Sequence, residues 1–175
     1  MNRSDNRTDY NPIPLSDELM NGQSLGAVSG MKFGLGTIGK CGCEVIAVYN
    51  MLLLSGMPQP FPKVAACMRK YAMLFGLWGT NPFVLGRCMR KFGLESKKLR
   101  RPDDVRRALE AGNRCIYVYW TKRRLFSAIH TVCMERKQGR LYVYNAYNRV
   151  GHAYVTTPDA YLQGRRMLTA YEVCS

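Results

Sequence analysis

Hydrophobic residues are most continuous between positions 45 and 54, where only Asn50 is strongly polar. A helix that is apolar on nearly every side is usually buried in the middle of a domain. Gly42 stands shortly before this run, and Gly56, with a proline two residues later, supplies a helix-stop signal. The pattern predicts a central, buried helix whose first turn contains Cys43.

Four further helices are predicted from apolar spacing and from end signals. Apolar residues recur near helical spacing over 63–74. Pro82 opens a helix that reaches about residue 92, and Pro102 opens one over 105–111 that a glycine ends. The segment 158–163 predicts a short helix.

The pattern becomes that of strands after residue 114. Runs at 115–120, 128–135 and 140–147 are rich in aromatic and β-branched residues. A turn at 137–139 joins the last two runs as a hairpin, and a final strand is predicted over 167–173. Helices followed by an antiparallel sheet indicate the α+β class.

The chain length of 175 residues favours one domain with a substantial core. Residues 1–30 are polar and rich in small residues, which predicts a loosely ordered extension, and residues 31–175 are predicted to form the single domain. The polar start carries no signal peptide, and the longest apolar run is too short to span a bilayer. We therefore expect a cytoplasmic protein without a transmembrane segment.

The charge balance is strongly basic, with 26 Lys and Arg against 12 Asp and Glu, a net charge of +14. Such a charge attracts nucleic acid, an anionic membrane surface or an acidic protein. The basic clusters are not interleaved with aromatic residues, so nucleic acid is disfavoured as a partner. A solvated basic surface is the simplest interpretation, and an acidic partner stays open.

The seven cysteines do not form a disulfide framework, because their number is odd and five of them stand in apolar surroundings. Cys41 and Cys43 flank a glycine and could form a strained redox pair or half of a metal site. A zinc site needs two more ligands, and besides scattered cysteines the sequence offers only His130 and His152. We predict neither a metal nor a cofactor.

Cys43, His130 and Asn145 are the candidate catalytic residues. The first turn of a helix favours a thiolate, because unpaired N–H groups and the helix dipole stabilise negative charge there. His130 begins one predicted strand and Asn145 lies near the end of the next. A lone cysteine in an apolar helix is more often a core residue, as we expect for Cys67 and Cys88. Cys43 differs because a histidine and an asparagine follow in the order that nucleophilic catalysis uses.

Around Gly42, Cys43 and Gly56, and again from His130 to Asn145, the chain resembles the papain-like cysteine peptidases. It is most similar to the bacterial branch related to the double-glycine leader peptidases, over roughly residue 31 to the end. The resemblance implies a helical lobe that carries the cysteine and packs on an antiparallel sheet. It also implies a peptidase or amidase that acts on a peptide or protein through a thioester.

In that family's pattern Cys43 is the nucleophile, His130 the base and Asn145 the residue that orients the imidazole. Two alternatives stay open: Cys41 as the nucleophile and Asn148 as the third member. The family usually places a glutamine a few residues before the cysteine to stabilise the oxyanion, but residues 35–40 contain none and Gln23 lies far upstream. A second hypothesis is therefore a weak or inactive papain-like module that binds a peptide or an acidic partner.

Overall fold

The computed structural model describes residues 18–122 and 127–174. The first 17 residues of the predicted polar extension lie outside this part of the chain. No helix in the described ranges combines the length and the apolar character needed to cross a lipid bilayer.

The chain forms six helices and eight strands over the described residues, and six of these strands make one antiparallel sheet. The helices are α1 (Ile38–Cys41), α2 (Cys43–Leu54), α3 (Phe61–Arg69), α4 (Leu85–Arg90), α5 (Pro102–Glu110) and α6 (Pro158–Leu162). Single 3-10 turns lie at Ala27–Gly30, Met73–Gly76 and Pro82–Val84. The strands are β1 (Lys32–Phe33), β2 (Gly36–Thr37), β3 (Lys97–Leu99), β4 (Arg114–Lys122), β5 (Ser127–Lys137), β6 (Arg140–Tyr144), β7 (Tyr154–Thr156) and β8 (Arg166–Val173).

Strands β3 to β8 form one sheet over the described residues, in the order β3-β8-β4-β5-β6-β7, with every neighbouring pair antiparallel. Strands β1 and β2 pair separately as a small hairpin ahead of α1. Helices segregated from an antiparallel sheet make an α+β fold, so the predicted class is confirmed.

The two faces of the main sheet bury different cores. Alternate side chains of a strand point to opposite faces, and both faces of β4 and β5 are covered. One face packs against α2, α3 and α4 through residues that include Ile116, Val118 and Cys133. The other packs against α5 and α6 through residues that include Tyr117, Val132 and Met134.

Helix α2 lies at the centre of the first core. Every residue from 43 to 52 is buried, including the polar Asn50, and the helix contacts β5, α3 and α4. Gly42 precedes its first residue, and Gly56 adopts a left-handed backbone just beyond its end. The predicted buried helix is therefore present, and its first residue is Cys43.

The segment from residue 19 to 24 is hydrogen-bonded to this core. The side chain of Asn50 accepts from the N–H of Met20 and donates to its carbonyl, each over 2.8 Å. The N–H of Ser24 donates to the carbonyl of Asn148. These bonds satisfy the buried amide of Asn50 and hold the segment along α2 and the end of β6.

Most predicted elements are present, with changes at their ends. Helix α3 stops at Arg69 rather than at residue 74, because residues 72–80 fold back as a hairpin with a bridge from Ala72 to Thr80. Strand β6 stops at Tyr144, because Asn145 turns the chain with a φ of 59°. Strands β3 and β7, each of three residues, and the hairpin of β1 and β2 lack a predicted counterpart.

Candidate active site

The thiol of Cys43 lies at the first residue of α2 and is almost completely buried. Its Sγ–H donates to Oε2 of Glu44 over 3.4 Å. The backbone and the hydroxyl of Thr131, the residue after His130 in β5, also lie beside the sulfur. The Thr131 hydroxyl makes no well-aligned hydrogen bond to a described residue.

The pKa of the Cys43 thiol is raised well above its ordinary value. Burial is the largest cause, and the negative charge of Glu44 adds to it. The backbone and side chain of Thr131 act in the opposite direction. The thiol is therefore protonated at neutral pH, which differs from the thiolate that the helix terminus alone predicts.

Glu44 is a buried carboxyl group whose pKa is raised to about 7, chiefly by burial. Hydrogen bonds from the backbone of Glu44 itself, from Cys43 and from the backbone of Thr80 oppose that rise. A Cβ at Gly79 would stand 2.9 Å from Oε2 of Glu44 and 3.2 Å from the carbonyl oxygen of Cys41, and the backbone there is left-handed with a φ of 73°, so glycine suits this contact of the 72–80 hairpin with the carboxyl group.

Cys41, the competing nucleophile, ends α1 rather than beginning α2. Its Sγ donates to the carbonyl of Thr37 over 3.1 Å, and its pKa is raised, first by burial. The cysteine at the helix start is therefore Cys43.

His130 lies in β5 opposite Tyr119 of β4, and the two rings meet edge to face with centroids 5.9 Å apart. Its Nε2 lies 2.7 Å from the backbone carbonyl oxygen of Asn145. A carbonyl oxygen has no proton to donate, so Nε2 must carry the hydrogen. The lone pair of the neutral ring is then on Nδ1, which is the nitrogen able to accept a proton.

Asn145 is fully buried and connects three segments of the chain. Its carbonyl accepts from His130, its N–H donates to Oδ1 of Asn21, and its Oδ1 accepts from the N–H of Gln23. The backbone carbonyl, rather than the side-chain amide that the family pattern implies, therefore contacts the imidazole. The left-handed backbone of Asn145 turns this carbonyl away from the β6 ladder.

Gln23 also belongs to this region. It lies too far upstream of Cys43 in the sequence for a role to be assigned to it from the sequence alone. It is buried, its Nε2 donates to the carbonyl of Gly39 over 3.3 Å, and its Oε1 has no hydrogen-bond partner in the described part of the chain. A separation of 20 residues from Cys43 hid this placement, because the chain between them forms β1, β2 and α1 before returning.

The contacts fall into two groups, because His130 and Thr131 are successive residues of β5 and their side chains point to opposite faces of the sheet. Cys43 lies beside Thr131, the neighbour of His130, and Asn145 joins His130 to Gln23. The sulfur, the imidazole and the amide groups are the parts that acyl transfer uses. The His130 ring packs against Tyr119, on the sheet face that α5 and α6 cover, whereas Cys43 begins the helix on the other face. Over residues 18–122 and 127–174, no three His, Cys, Asp or Glu side chains group closely enough to hold a metal ion.

Comparison with family models and with curated proteins gives no match. Among solved structures, the chain is similar to a double-glycine motif protease from an AMS/PCAT transporter, determined in complex with the leader peptide. The TM-score is 0.53 at 16% sequence identity, and the match covers 76% of this chain and 84% of that chain. A likeness at this identity concerns the fold, and it supports the papain-like architecture of a helical lobe on an antiparallel sheet.

Proposed function

We propose that the chain is a papain-like cysteine hydrolase that attacks an amide bond of a peptide or protein with Cys43. The observation that carries the proposal is that the Cys43 thiol, at the start of α2, adjoins Thr131, the residue after His130 in β5, while the backbone carbonyl of Asn145 binds the His130 imidazole. The solved protease of similar fold is described as bound to a leader peptide, which supports a peptide as the substrate class.

In this proposal Cys43 begins each cycle as a neutral thiol, because its pKa is raised. The proposal requires the His130 imidazole to reach the sulfur from its position beside Thr131 in β5. His130 then takes the thiol proton on Nδ1 as the sulfur attacks the substrate carbonyl carbon. The tetrahedral intermediate collapses, the C–N bond breaks, and the proton passes to the departing amine, which leaves a thioester on Cys43. Water then attacks the thioester, releases the acid and returns the proton to the sulfur.

Asn145 is a positioning residue in this scheme. Its carbonyl fixes Nε2 as the protonated nitrogen, so Nδ1 stays basic. Gln23 is the candidate donor to the oxyanion, because it is buried, its side-chain amide donates to the carbonyl of Gly39 in α1, and its backbone N–H is held by Oδ1 of Asn145. The N–H of Cys43 would be the second donor.

A peptide-library digestion followed by mass spectrometry tests the proposal. Wild type is expected to release defined fragments, Cys43→Ser to release none, and Cys41→Ser to retain the activity within a few-fold. Loss of activity only in Cys41→Ser would show that Cys41, not Cys43, is the nucleophile. If the folded wild type cleaved no peptide over a broad pH range, the proposed hydrolase function would be wrong.

A second candidate is an inactive module that binds an acidic peptide. The burial of the Cys43 thiol favours it, and so does a basic groove of about 550 Å³ between β3 and α5. The groove has five cationic side chains against two carboxylates, and its cationic residues are Lys97, Lys98, Arg100, Arg101 and Arg107. Strand β3 is an edge of the described sheet, so an extended peptide could add to it.

Fluorescence anisotropy with a labelled poly-glutamate peptide tests this second candidate. Binding should weaken steeply as the salt concentration rises. The double variant Lys98→Glu with Arg101→Glu should lose binding. The control double variant Lys63→Glu with Lys70→Glu, on the helical lobe, should bind as wild type does. An equal loss of affinity in both double variants would indicate that the peptide is attracted by net charge alone, and it would exclude the groove as the binding site.

A further inference from the structure

The 72–80 hairpin exposes large apolar side chains at its tip. Phe75 is 79% exposed, Trp78 71%, Leu77 57% and Leu74 56%, and Leu35 from the adjacent turn between β1 and β2 is 70% exposed. We call these five residues the apolar tip. Exposed Leu, Phe and Trp side chains grouped in this way mark an interaction surface rather than ordinary surface composition.

The apolar tip is held in place by its backbone. The N–H of Leu35 donates to the carbonyl of Phe75 over 2.7 Å, and the N–H of Met73 donates to the carbonyl of Gly79. Gly34 and Gly76 permit the close approach of the two turns, since a Cβ at Gly34 would stand 2.0 Å from the carbonyl oxygen of Phe75. These contacts keep the side chains of the tip projecting outward.

The charged side chains of the lobe that carries the apolar tip are almost all basic. Between residues 19 and 94 the only acidic residue is Glu44, which is buried. The same stretch contains eight basic residues, all exposed: Lys32, Lys40, Lys63, Arg69, Lys70, Arg87, Arg90 and Lys91. The lobe therefore presents an excess of positive charge, in which Arg69 lies beside the tip and Arg90 is paired with Glu95, just beyond the stretch.

We propose that the apolar tip inserts into the surface of an anionic phospholipid bilayer. Aromatic and aliphatic side chains partition into the interface of a bilayer, and Trp prefers the level of the head groups. The exposed Lys and Arg side chains of the same lobe attract anionic lipids, which gives the complementary charge. Arg69 borders a cavity of about 620 Å³ beside Leu35, Leu74 and Phe75, where its guanidinium can pair with a lipid phosphate.

A second copy of this chain fits the same surface less well. A symmetric contact through the apolar tip would bring two lobes of like charge together, which is unfavourable. An anionic bilayer satisfies both the apolar side chains of the tip and the positive charge of the lobe.

Vesicle flotation tests the proposal. The protein is mixed with vesicles of phosphatidylcholine alone or of phosphatidylcholine with phosphatidylglycerol. Wild type should float with the anionic vesicles. With the neutral vesicles it should stay in the buffer at the bottom of the gradient. Phe75→Ser with Trp78→Ser should lower the anionic partition by at least about tenfold, because two apolar side chains no longer leave water. The control pair, Leu25→Ser with Val155→Ser, removes exposed apolar side chains elsewhere and should float like wild type.

Trp78 supplies a second readout that does not need its removal. In a Trp120→Phe background it is the remaining tryptophan, and its emission should shift to shorter wavelength with anionic vesicles and be quenched by brominated lipids. Three results would overturn the proposal: no flotation of wild type, flotation that Phe75→Ser with Trp78→Ser does not change, or a wild-type dimer in sedimentation that this double variant dissociates.

Discussion

His130 donates its Nε2–H to the backbone carbonyl of Asn145 over 2.7 Å. A residue can therefore orient the imidazole here without its side chain, provided that its carbonyl is turned toward the ring. The left-handed backbone of Asn145 achieves this, while its side chain is used to bind the N–H of Gln23.

Replacing Asn145 separates these two roles. Asn145→Ala should lower the free energy of unfolding by about 3 kcal/mol, because it leaves a buried N–H unpaired and puts a less suitable residue at positive φ. Asn145→Gly should recover about 1 kcal/mol of this loss, since glycine accepts the backbone conformation. Urea denaturation measures both values.

The same glycine variant tests the positioning role. Asn145→Gly keeps the carbonyl that binds His130 but frees the N–H of Gln23, so hydrolysis should fall by less than it does in His130→Ala. A loss as large as that of His130→Ala would show that the side-chain amide, not the carbonyl, orients the ring.

Glu44 should make stability depend on pH. Its pKa is raised from 4.5 to about 7 in the folded protein. Between these values the folded state retains a proton that the unfolded chain has lost, so the free energy of unfolding falls as pH rises through this window, by about 3 kcal/mol in total. Below it and above it this contribution is constant.

Glu44→Gln should flatten that dependence and make the protein more stable than wild type at pH 8. Glu110→Gln, at an exposed position in α5, is the control and should leave the profile unchanged. Chemical denaturation between pH 4 and 9 gives the profiles. An unaltered slope in Glu44→Gln would assign the pH dependence to another group.

Glu44 should also suppress the reactivity of its neighbour. The Glu44 carboxylate raises the pKa of the Cys43 thiol, although burial is the larger cause. Glu44→Gln should therefore lower that pKa and increase the rate at which iodoacetamide modifies Cys43 at pH 8, while Cys174, which is exposed, keeps its rate. An unchanged rate at Cys43 would mean that burial alone limits the thiol.

The close contact of the two turns behind the apolar tip predicts unequal effects of two glycine substitutions. Gly34 and Gly56 both have positive φ, but only at Gly34 would a Cβ meet backbone atoms. Gly56→Ala should cost about 1 kcal/mol for the backbone conformation, whereas Gly34→Ala should cost at least about 3 kcal/mol or displace the hairpin. Thermal denaturation and vesicle flotation of both variants measure these effects; equal costs would contradict the contact.

The sequence predicts the main elements where local signals are strong. Gly42 and Gly56 bound α2, Pro102 opens α5, and the turn at Gln138 and Gly139 joins β5 to β6. Strand β3 was missed because Lys97 and Lys98 give no apolar alternation, and its pairing with β8 is a long-range contact.

The candidate site shows a different limit. The sequence pointed to Cys43, His130 and Asn145, but it could not show that Gln23 returns to Asn145 or that Glu44 is buried beside the thiol. Both facts depend on how the 19–24 segment and the 72–80 hairpin pack on α2. Packing of this kind leaves no periodic signal in the chain.

The most direct test of the proposed chemistry is the rate at which an electrophile modifies Cys43, measured by peptide mapping in wild type and in His130→Ala, with Cys174 as the internal reference. We predict that the rate at Cys43 in the folded protein falls by at least about tenfold in His130→Ala, because the base that removes the thiol proton is gone, while the rate at Cys174 does not change. Modification of Cys43 that is independent of His130, or that occurs only after unfolding, would contradict it.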